Sequence, residues 1–193
     1  MTQEWMDQDV IRIVNQNHET KRNLEALKRE GGERLLLLGD LLYHGPRNDL
    51  PRDYAPKEVI ALLNGVKNQL LCVRGNCEAE VDQMVLDFPV MAEYCVIFWG
   101  GRTVYATHGH QYHRGNLPPL QRGDILVHGH THVPGWEFFG RDNLYLNPGS
   151  VSLPKEGSAH SYLLLDGTVV LWKKLDGSIF HQLDLAEFSA KIH

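Results

Sequence analysis

Residues 34–48 are RLLLLGDLLYHGPRN, an apolar run that ends abruptly at a glycine and an aspartate. The run predicts a buried strand over Arg34–Leu38, because four consecutive leucines leave no polar face for water. The pattern predicts strand Val10–Val14 and helix Glu19–Glu30 before it, and helix Lys57–Gln69 and strand Leu70–Val73 after it. Strands that alternate with helices favour a parallel sheet with functional loops at the carboxyl ends of its strands.

The second half of the chain has a different pattern. After a short helix near Glu80–Leu86, eight apolar runs predict strands at Tyr94–Phe98, Val104–Thr107, Ile125–Val127, Trp136–Phe139, Leu144–Leu146, Tyr162–Leu165, Val169–Trp172 and Ile179–Leu183. Asp166-Gly167 and Asp176-Gly177 are hairpin signals between such runs. We therefore expect a mostly antiparallel second half. The α/β fold would then place the two halves in two packed sheets within a single domain, residues 1–193.

Composition narrows the classes of protein to which this chain can belong. Of its 193 residues, 42% are hydrophobic and 22% are charged, as in ordinary globular proteins. The net charge of −5 disfavours duplex nucleic acid as a partner. No apolar segment is long enough to cross a bilayer, and no targeting signal is found. Three cysteines, an odd and low number, indicate reduced thiols, so we expect a soluble cytoplasmic protein without membrane contact.

Four short motifs follow predicted strands directly, and each carries potential metal ligands. They are Gly39-Asp40, Gly75-Asn76-Cys77-Glu78, His108-Gly109-His110 and Gly129-His130-Thr131-His132. A glycine beside each ligand lets the backbone turn sharply, so that a short side chain points into a common crevice. Each motif alone is more often a turn or a core histidine, but the four in this order predict a metal site.

The ligand types constrain the metal and the chemistry. Carboxylate, amide and imidazole donors without a thiolate suit Mn, Fe, Co or Zn better than Ca or a structural zinc. Asp40 is the one ligand in the set able to bridge two cations, which lie roughly 3.5–4 Å apart in two-metal sites. Such sites hydrolyse phosphate esters by activating a water and clamping the phosphoryl oxygens, so no nucleophilic serine or cysteine is needed.

The series GD, GNCE, THGH, GHTH and NPGS resembles the motifs of the calcineurin-like metallophosphoesterases. The segments LLLLGDLLYHGPRN, CVRGNCEAEVDQM and YLNPGSVSLPK are similar to the YfcE-type bacterial phosphodiesterase subfamily in particular. The resemblance covers roughly Gly31 to Leu183. It implies a sandwich of two mixed β-sheets flanked by helices, and a dinuclear, manganese-type centre. Its substrate would be a small phosphodiester or phosphomonoester, attacked by a metal-activated hydroxide.

The resemblance also implies roles for individual residues. Asp40 would bridge the two ions, His132 would join one of them, and the other would be completed by Asn76, His108 and His130. Catalytic roles fall on Asp40, Asn76 and His130.

Two neighbours of these ligands are candidates for substrate binding. Arg47 would offer a bidentate fork to a phosphate oxygen, and a surface loop arginine is an equal alternative. Cys77 stands where the wider superfamily often has a histidine that assists the leaving group, although a small buried hydrophobe is the commoner role of a cysteine. The segment Asn147-Pro148-Gly149-Ser150 is expected to brace the site through turn geometry.

The amino terminus departs from the family pattern. Family members open with a strand ending in Asp-x-His-Gly, and residues 1–30 contain no Asp-x-His. Without gaps the expected pair falls on Arg12 and Val14, whereas a shift that keeps the following helix places it on Gln16 and His18. Of these four residues only His18 suits a metal, so the first ion would bind weakly.

Three hypotheses follow from this departure. The chain is a working phosphodiesterase that loads its first ion poorly, or a noncatalytic metal-binding scaffold of the same fold, or residues 1–20 are not the natural start. We favour the enzyme, because all other ligands are present and drift after loss of function would erode several ligands together. A homo-oligomer is left open.

Overall fold

The computed structural model describes residues 10–15, 34–46, 48–50 and 54–189. The strands are β1 (Ile11–Val14), β2 (Arg34–Leu37), β3 (Leu70–Cys72), β4 (Tyr94–Trp99), β5 (Arg102–Thr107), β6 (Ile125–His128), β7 (Pro134–Phe139), β8 (Asn143–Pro148), β9 (Ser161–Asp166), β10 (Val169–Lys174) and β11 (Ile179–Asp184). The helices are α1 (Pro56–Gly65), a 3₁₀ turn (Lys67–Gln69), α2 (Glu80–Val85) and α3 (Ala186–Ser189). None of the helices among these residues is long and apolar enough to span a membrane.

The first sheet has six strands in the order β11-β10-β9-β1-β2-β3. Strands β1, β2 and β3 are parallel neighbours, with Val14 beside Leu37 and Leu37 beside Cys72. The predicted parallel arrangement of the three amino-terminal strands is therefore confirmed. The helix predicted at Glu19–Glu30 lies outside the described residues.

The second sheet has five strands in the order β4-β5-β6-β8-β7. Its central strands β5, β6 and β8 are parallel, and its two edge strands are antiparallel to their neighbours. The chain therefore forms two mixed sheets, as the family resemblance implies. Both predicted hairpins are present, since β9, β10 and β11 pair antiparallel in succession.

One expectation about the sheets is wrong. The two halves of the chain do not form one sheet each, because β9, β10 and β11 join the first sheet, with β9 antiparallel to β1. The physical reason lies in Tyr162–Leu165, which are all buried. A strand that is apolar on both faces needs cover on both sides, and a central position in the larger sheet provides it.

The buried leucines of β2 divide between two cores. Leu36 belongs to the cluster between the two sheets. Leu35 and Leu37 belong to a second cluster with Val59 and Leu63 of α1. Because successive strand residues point to opposite faces, one apolar run serves both cores and fixes β2 in the middle of the fold.

The carboxyl ends of the parallel strands of both sheets meet at one edge of the sandwich. Nδ1 of His108, just after β5, lies 2.6 Å from the carbonyl oxygen of Leu38, just after β2. The amide of Gly129, after β6, donates to the carbonyl of His108 over 2.9 Å. The loops after these strands are therefore held against each other, where ligands of α/β proteins usually bind.

Candidate metal centre

The predicted ligand motifs all lie at this edge. Asp40 lies three residues after β2, and Asn76 lies four residues after β3. His108 follows β5 directly, and His130 lies two residues after β6. Four loops from two sheets thus each bring one donor to the same place, which we call the ligand edge.

The donor atoms of the ligand edge converge on Nε2 of His108. That nitrogen lies 3.0 Å from Oδ1 of Asn76 and 3.0 Å from Nδ1 of His130. It lies 3.4 Å from Oδ2 of Asp40. His108 and Asp40 are both buried, whereas Asn76 is exposed, so the cluster sits at the floor of an open crevice.

Three candidate ligands have a strained backbone. Asp40, His130 and His132 have φ angles of 55°, 61° and 63°, in the left-handed region that residues with a side chain rarely adopt. Such conformations cost roughly 1–3 kcal/mol each and persist where the surrounding structure enforces them, often at functional sites. The strain therefore coincides with the residues that the sequence motifs single out.

Two glycines allow the β2 and β3 loops to touch. A Cβ on Gly39, whose φ is 84°, would lie 2.3 Å from the backbone nitrogen of Gly75. A Cβ on Gly75 would lie 2.2 Å from Oδ1 of Asp40. Any larger residue at either position would push the Asp40 carboxylate away from its neighbours.

Backbone carbonyls orient two of the imidazoles. Nδ1 of His132 lies 2.8 Å from the carbonyl of Leu153, and Nδ1 of His108 contacts the carbonyl of Leu38 as described above. A carbonyl can only accept, so both Nδ1 atoms carry the proton and both Nε2 atoms keep a lone pair. This arrangement of donor and partner is typical of histidines that bind metals.

The imidazoles of His130 and His132 are neutral near pH 7. Burial lowers the pKa of His130 to about 4, with a further contribution from His108. Burial likewise lowers the pKa of His132 to about 4, and the positive charge of Lys155 contributes to the shift. A neutral imidazole is the form that binds a metal, so no proton has to be removed first.

Sequence reasoning missed the role of Glu78. Its side chain is 4% exposed and accepts hydrogen bonds from the backbone amides of Asp40, Leu41 and Gly75. Burial is the main cause that raises the pKa of Glu78 to about 7, the Asp40 charge adds to it, and the three amides oppose it. Glu78 therefore ties the loop after β2 to the loop after β3. Its place inside the GNCE motif was the available signal.

A cleft of about 270 Å³ opens over the ligand edge. Asp40, Asn76, His130 and His132 line it, and so do Cys77 and Lys155. The amide of Cys77 donates to Oδ1 of Asp40 over 3.0 Å, and its Sγ accepts from Nδ2 of Asn76 over 3.3 Å. Arg47, the other candidate for substrate binding, lies outside the described residues.

The donors fit a divalent metal ion. Two imidazole nitrogens at 3.0 Å repel each other unless a proton or a cation lies between their lone pairs, and a cation would satisfy both. Among the described residues, no group of three His, Cys, Asp or Glu side chains is arranged as a metal site without a further donor. The set here includes the amide oxygen of Asn76. Mixed oxygen and imidazole donors suit a first-row divalent ion.

The end of β1 differs from the ends of the other parallel strands. It is occupied by Asn15, which is fully buried and donates from Nδ2 to the carbonyl of Gly149 over 3.0 Å. A Cβ on Gly129 would lie 2.3 Å from Oδ1 of Asn15. Asn15 is thus wedged between two site loops. Of the two placements expected for the missing Asp-x-His, Arg12 and Val14 are buried within β1, whereas Gln16 and His18 lie outside the described residues.

The NPGS segment braces the loop that carries His130 and His132. Nδ2 of Asn147 lies 3.1 Å from the carbonyl of Gly129 and 3.0 Å from Oγ1 of Thr131. Its Oδ1 accepts from the amide of Gly149 over 2.9 Å. The expectation that this segment acts through turn geometry agrees with these contacts.

Comparisons with known proteins agree with this arrangement of motifs. The family model described as the calcineurin-like phosphoesterase superfamily domain matches residues 13–168. Over 151 residues the chain is 46% identical to phosphodiesterase YfcE of Escherichia coli K12, covering 78% of this chain and 82% of the relative. It is 26% identical over 163 residues to the probable metallophosphoesterase YsnB of Bacillus subtilis 168, covering 80% and 82% of the two chains.

A solved structure supports the same relationship. The structure described as YfcE, a phosphoesterase from E. coli, superposes with a TM-score of 0.86 at 42% identity. The match covers 91% of this chain and 98% of the other. The similarity therefore extends over the two-sheet architecture as a whole.

Proposed function

Because this chain belongs to the calcineurin-like phosphoesterase superfamily, and is thus a metal-dependent hydrolase of phosphate esters, we propose that it cleaves small phosphodiesters at the ligand edge. The observation that carries the proposal is the convergence of four donors from four loops on one point. The E. coli relative is named a phosphodiesterase, which supports the enzyme over a noncatalytic scaffold.

The proposed centre takes two divalent ions, manganese by preference. Asp40 would bridge them, His132 would belong to one ion, and the other would be held by Asn76, His108 and His130. Bound divalent ions supply a Lewis acid and lower the pKa of a water, so that a nucleophile forms near neutral pH. The chain positions this chemistry through the carbonyls of Leu38 and Leu153, which fix the orientation of two imidazoles.

Lys155 is the residue best placed to bind the substrate phosphoryl group. Among the described residues that line the cleft, it alone carries a positive charge. Its backbone amide lies 3.3 Å from the carbonyl of His132, which keeps the residue at the cleft. An ammonium group pairs with a phosphate oxygen through a charge-assisted hydrogen bond. Arg47 remains a second candidate for this role, and Cys77 for contact with the leaving group.

The setting of the enzyme is part of the proposal. We infer a cytoplasmic location, because none of the three cysteines forms a disulfide. The substrate is a small phosphodiester or phosphomonoester, and neither a membrane nor duplex nucleic acid is needed. A homo-oligomer stays open.

Hydrolysis of bis(p-nitrophenyl) phosphate tests the proposal. We expect activity that EDTA abolishes, that added Mn²⁺ restores, and that Asp40→Ala lacks at every Mn²⁺ concentration. Asp49→Ala, an exposed carboxylate near the same loop, is the matched control and should behave as the wild type. Activity no greater than that of Asp40→Ala would instead favour the noncatalytic scaffold.

A further inference from the structure

A second cavity of about 450 Å³ opens beside the metal cleft. His130 lines both spaces, so the cavity and the cleft adjoin at this residue. The other walls of the second cavity include Tyr145 of β8 and the loop that carries His113 and Arg114. None of these three residues is among the metal ligands proposed above.

Flat rings form much of the cavity wall. The rings of His128 and Tyr145 lie with their centroids 4.6 Å apart and their planes 38° apart. The guanidinium carbon of Arg114 lies 5.6 Å from the centroid of Tyr145. The rings of His110 and His130, which also line the cavity, have centroids 6.3 Å apart. Such surfaces favour a planar aromatic ligand, which can stack on them.

The charge of the wall also selects its ligand. The guanidinium of Arg114 forms an ion pair with Glu137, so its charge is compensated and attracts an anion only weakly. The described residues that line the cavity include no carboxylate, so the wall has no opposite charge for a cation. A neutral ring therefore fits the wall better than an anionic or a cationic group.

A third metal ion is not indicated by the histidines of this wall. The cavity brings His110, His113 and His128 to one space, but the described part of its lining has no carboxylate, unlike the ligand edge with Asp40. Nδ1 of His113 already accepts from the amide of Gly115 over 3.0 Å. Nδ1 of His128 lies 3.2 Å from the carbonyl of Gly129. Because no carboxylate among the described lining residues would balance the charge of an ion, these imidazoles offer ring surfaces to a ligand rather than an ion site.

We propose that the second cavity is the subsite for the ester group that stays on phosphorus, and that it takes a planar aromatic ring, either an aryl group or a nucleobase. This inference rests on the proposed function. A phosphodiester bound over the ligand edge carries two ester groups, and one of them leaves. The other must extend away from the phosphorus, and the space beyond His130 is the cavity adjoining the cleft.

Diesters that share the same leaving group but differ in the other ester group test the subsite. The probes are p-nitrophenyl phosphodiesters whose second ester group is methyl, cyclohexyl, phenyl or 5′-thymidyl. We expect kcat/KM to be about tenfold higher for the phenyl or thymidyl ester than for the methyl ester, the size of one stacking interaction. The cyclohexyl ester, which has similar bulk but no flat face, should gain less. If kcat/KM is well above the phenyl value for the thymidyl ester, the subsite takes a nucleobase. If the phenyl ester has the higher value, the subsite takes an aryl group.

Variants of Tyr145 test whether this side chain causes the preference for a planar ring. Tyr145→Leu should bring the phenyl-to-methyl ratio of kcat/KM close to one, whereas Tyr145→Phe, which keeps the ring, should retain it. Phe138→Leu removes a half-exposed aromatic ring from β7 and should leave the ratio unchanged. A wild-type ratio near one, or a ratio that survives Tyr145→Leu, overturns the subsite while the proposed function stands. Failure to hydrolyse any of the four esters overturns both.

Discussion

The ligand edge and the end of β1 lie at the same side of the sandwich but have different compositions. At the ligand edge, a carboxylate, an amide oxygen and a second imidazole lie within 3.4 Å of Nε2 of His108. At the end of β1, Asn15 is a buried brace that donates to the carbonyl of Gly149. The first region brings together the ligands of the proposed metal centre, whereas the second holds two loops together.

From this difference we expect the two ions of the proposed centre to bind unequally. The first-strand Asp-x-His implied by the family resemblance falls on Arg12 and Val14 or, with a shift, on Gln16 and His18, and none of these four residues is a carboxylate. A glutamine supplies no negative charge to a divalent ion. We therefore expect the ion held by Asn76, His108 and His130 to bind more tightly than its neighbour.

The largest expected effect on the rate of hydrolysis comes from removing a ligand at the ligand edge, compared with removing one after β1. In excess Mn²⁺, His108→Ala should lower kcat/KM by about 10³-fold, because the variant loses a ligand of the tighter ion. His18→Ala should lower it by no more than about tenfold, since the weaker ion already lacks a ligand. Steady-state kinetics on a phosphodiester measures both. An equal loss of kcat/KM in the two variants would show that the two ions contribute equally to catalysis.

A smaller effect is expected from Glu78, which ties two loops of the ligand edge. Glu78→Ala should lower the free energy of unfolding by about 3 kcal/mol, because three backbone amides lose their buried acceptor. The exposed Glu80 of α2 is the matched control. Glu80→Ala should change the free energy of unfolding by less than about 0.5 kcal/mol. Urea denaturation provides the values. Similar losses of unfolding free energy in both variants would show that Glu78 does not tie the two loops.

The smallest of the three effects is expected at Lys155. Lys155→Ala should raise KM about tenfold with a smaller change in kcat, because one charge-assisted contact to the phosphoryl group is lost. Lys155→Arg should restore most of the affinity. The exposed Lys57 of α1 is the control, and its alanine variant should match the wild type. A normal KM in Lys155→Ala would leave phosphate binding to other groups.

The ligand edge could be predicted from sequence because its signals are local. Each donor follows a recognisable apolar strand, and glycines mark the turns at Gly39, Gly75 and Gly129. Once the strands are known to be parallel, their carboxyl ends must meet, so the donors must meet as well. The position of NPGS as a brace was predictable for the same reason.

Other features depend on contacts between distant parts of the chain. The placement of β9 beside β1 joins Leu163 to Ile13, and no local pattern specifies that pairing. The burial of Glu78 depends on amides from two loops. The second cavity combines Tyr145 with Arg114 from a different loop. Sequence periodicity carries little information about such pairings, which tertiary packing decides.

The most direct test of unequal ion binding is an Mn²⁺ titration of phosphodiester hydrolysis by the wild type and by Gln16→Asp. The substitution places an Asp-x-His pattern over residues 16–18, ending at the natural His18, which is the shifted placement of the missing pair. We predict that it lowers the Mn²⁺ concentration at half-maximal rate about tenfold, as one added carboxylate ligand should. Gln69→Asp, an exposed substitution elsewhere, should leave this midpoint unchanged. Equal midpoints for the wild type and Gln16→Asp would contradict the account.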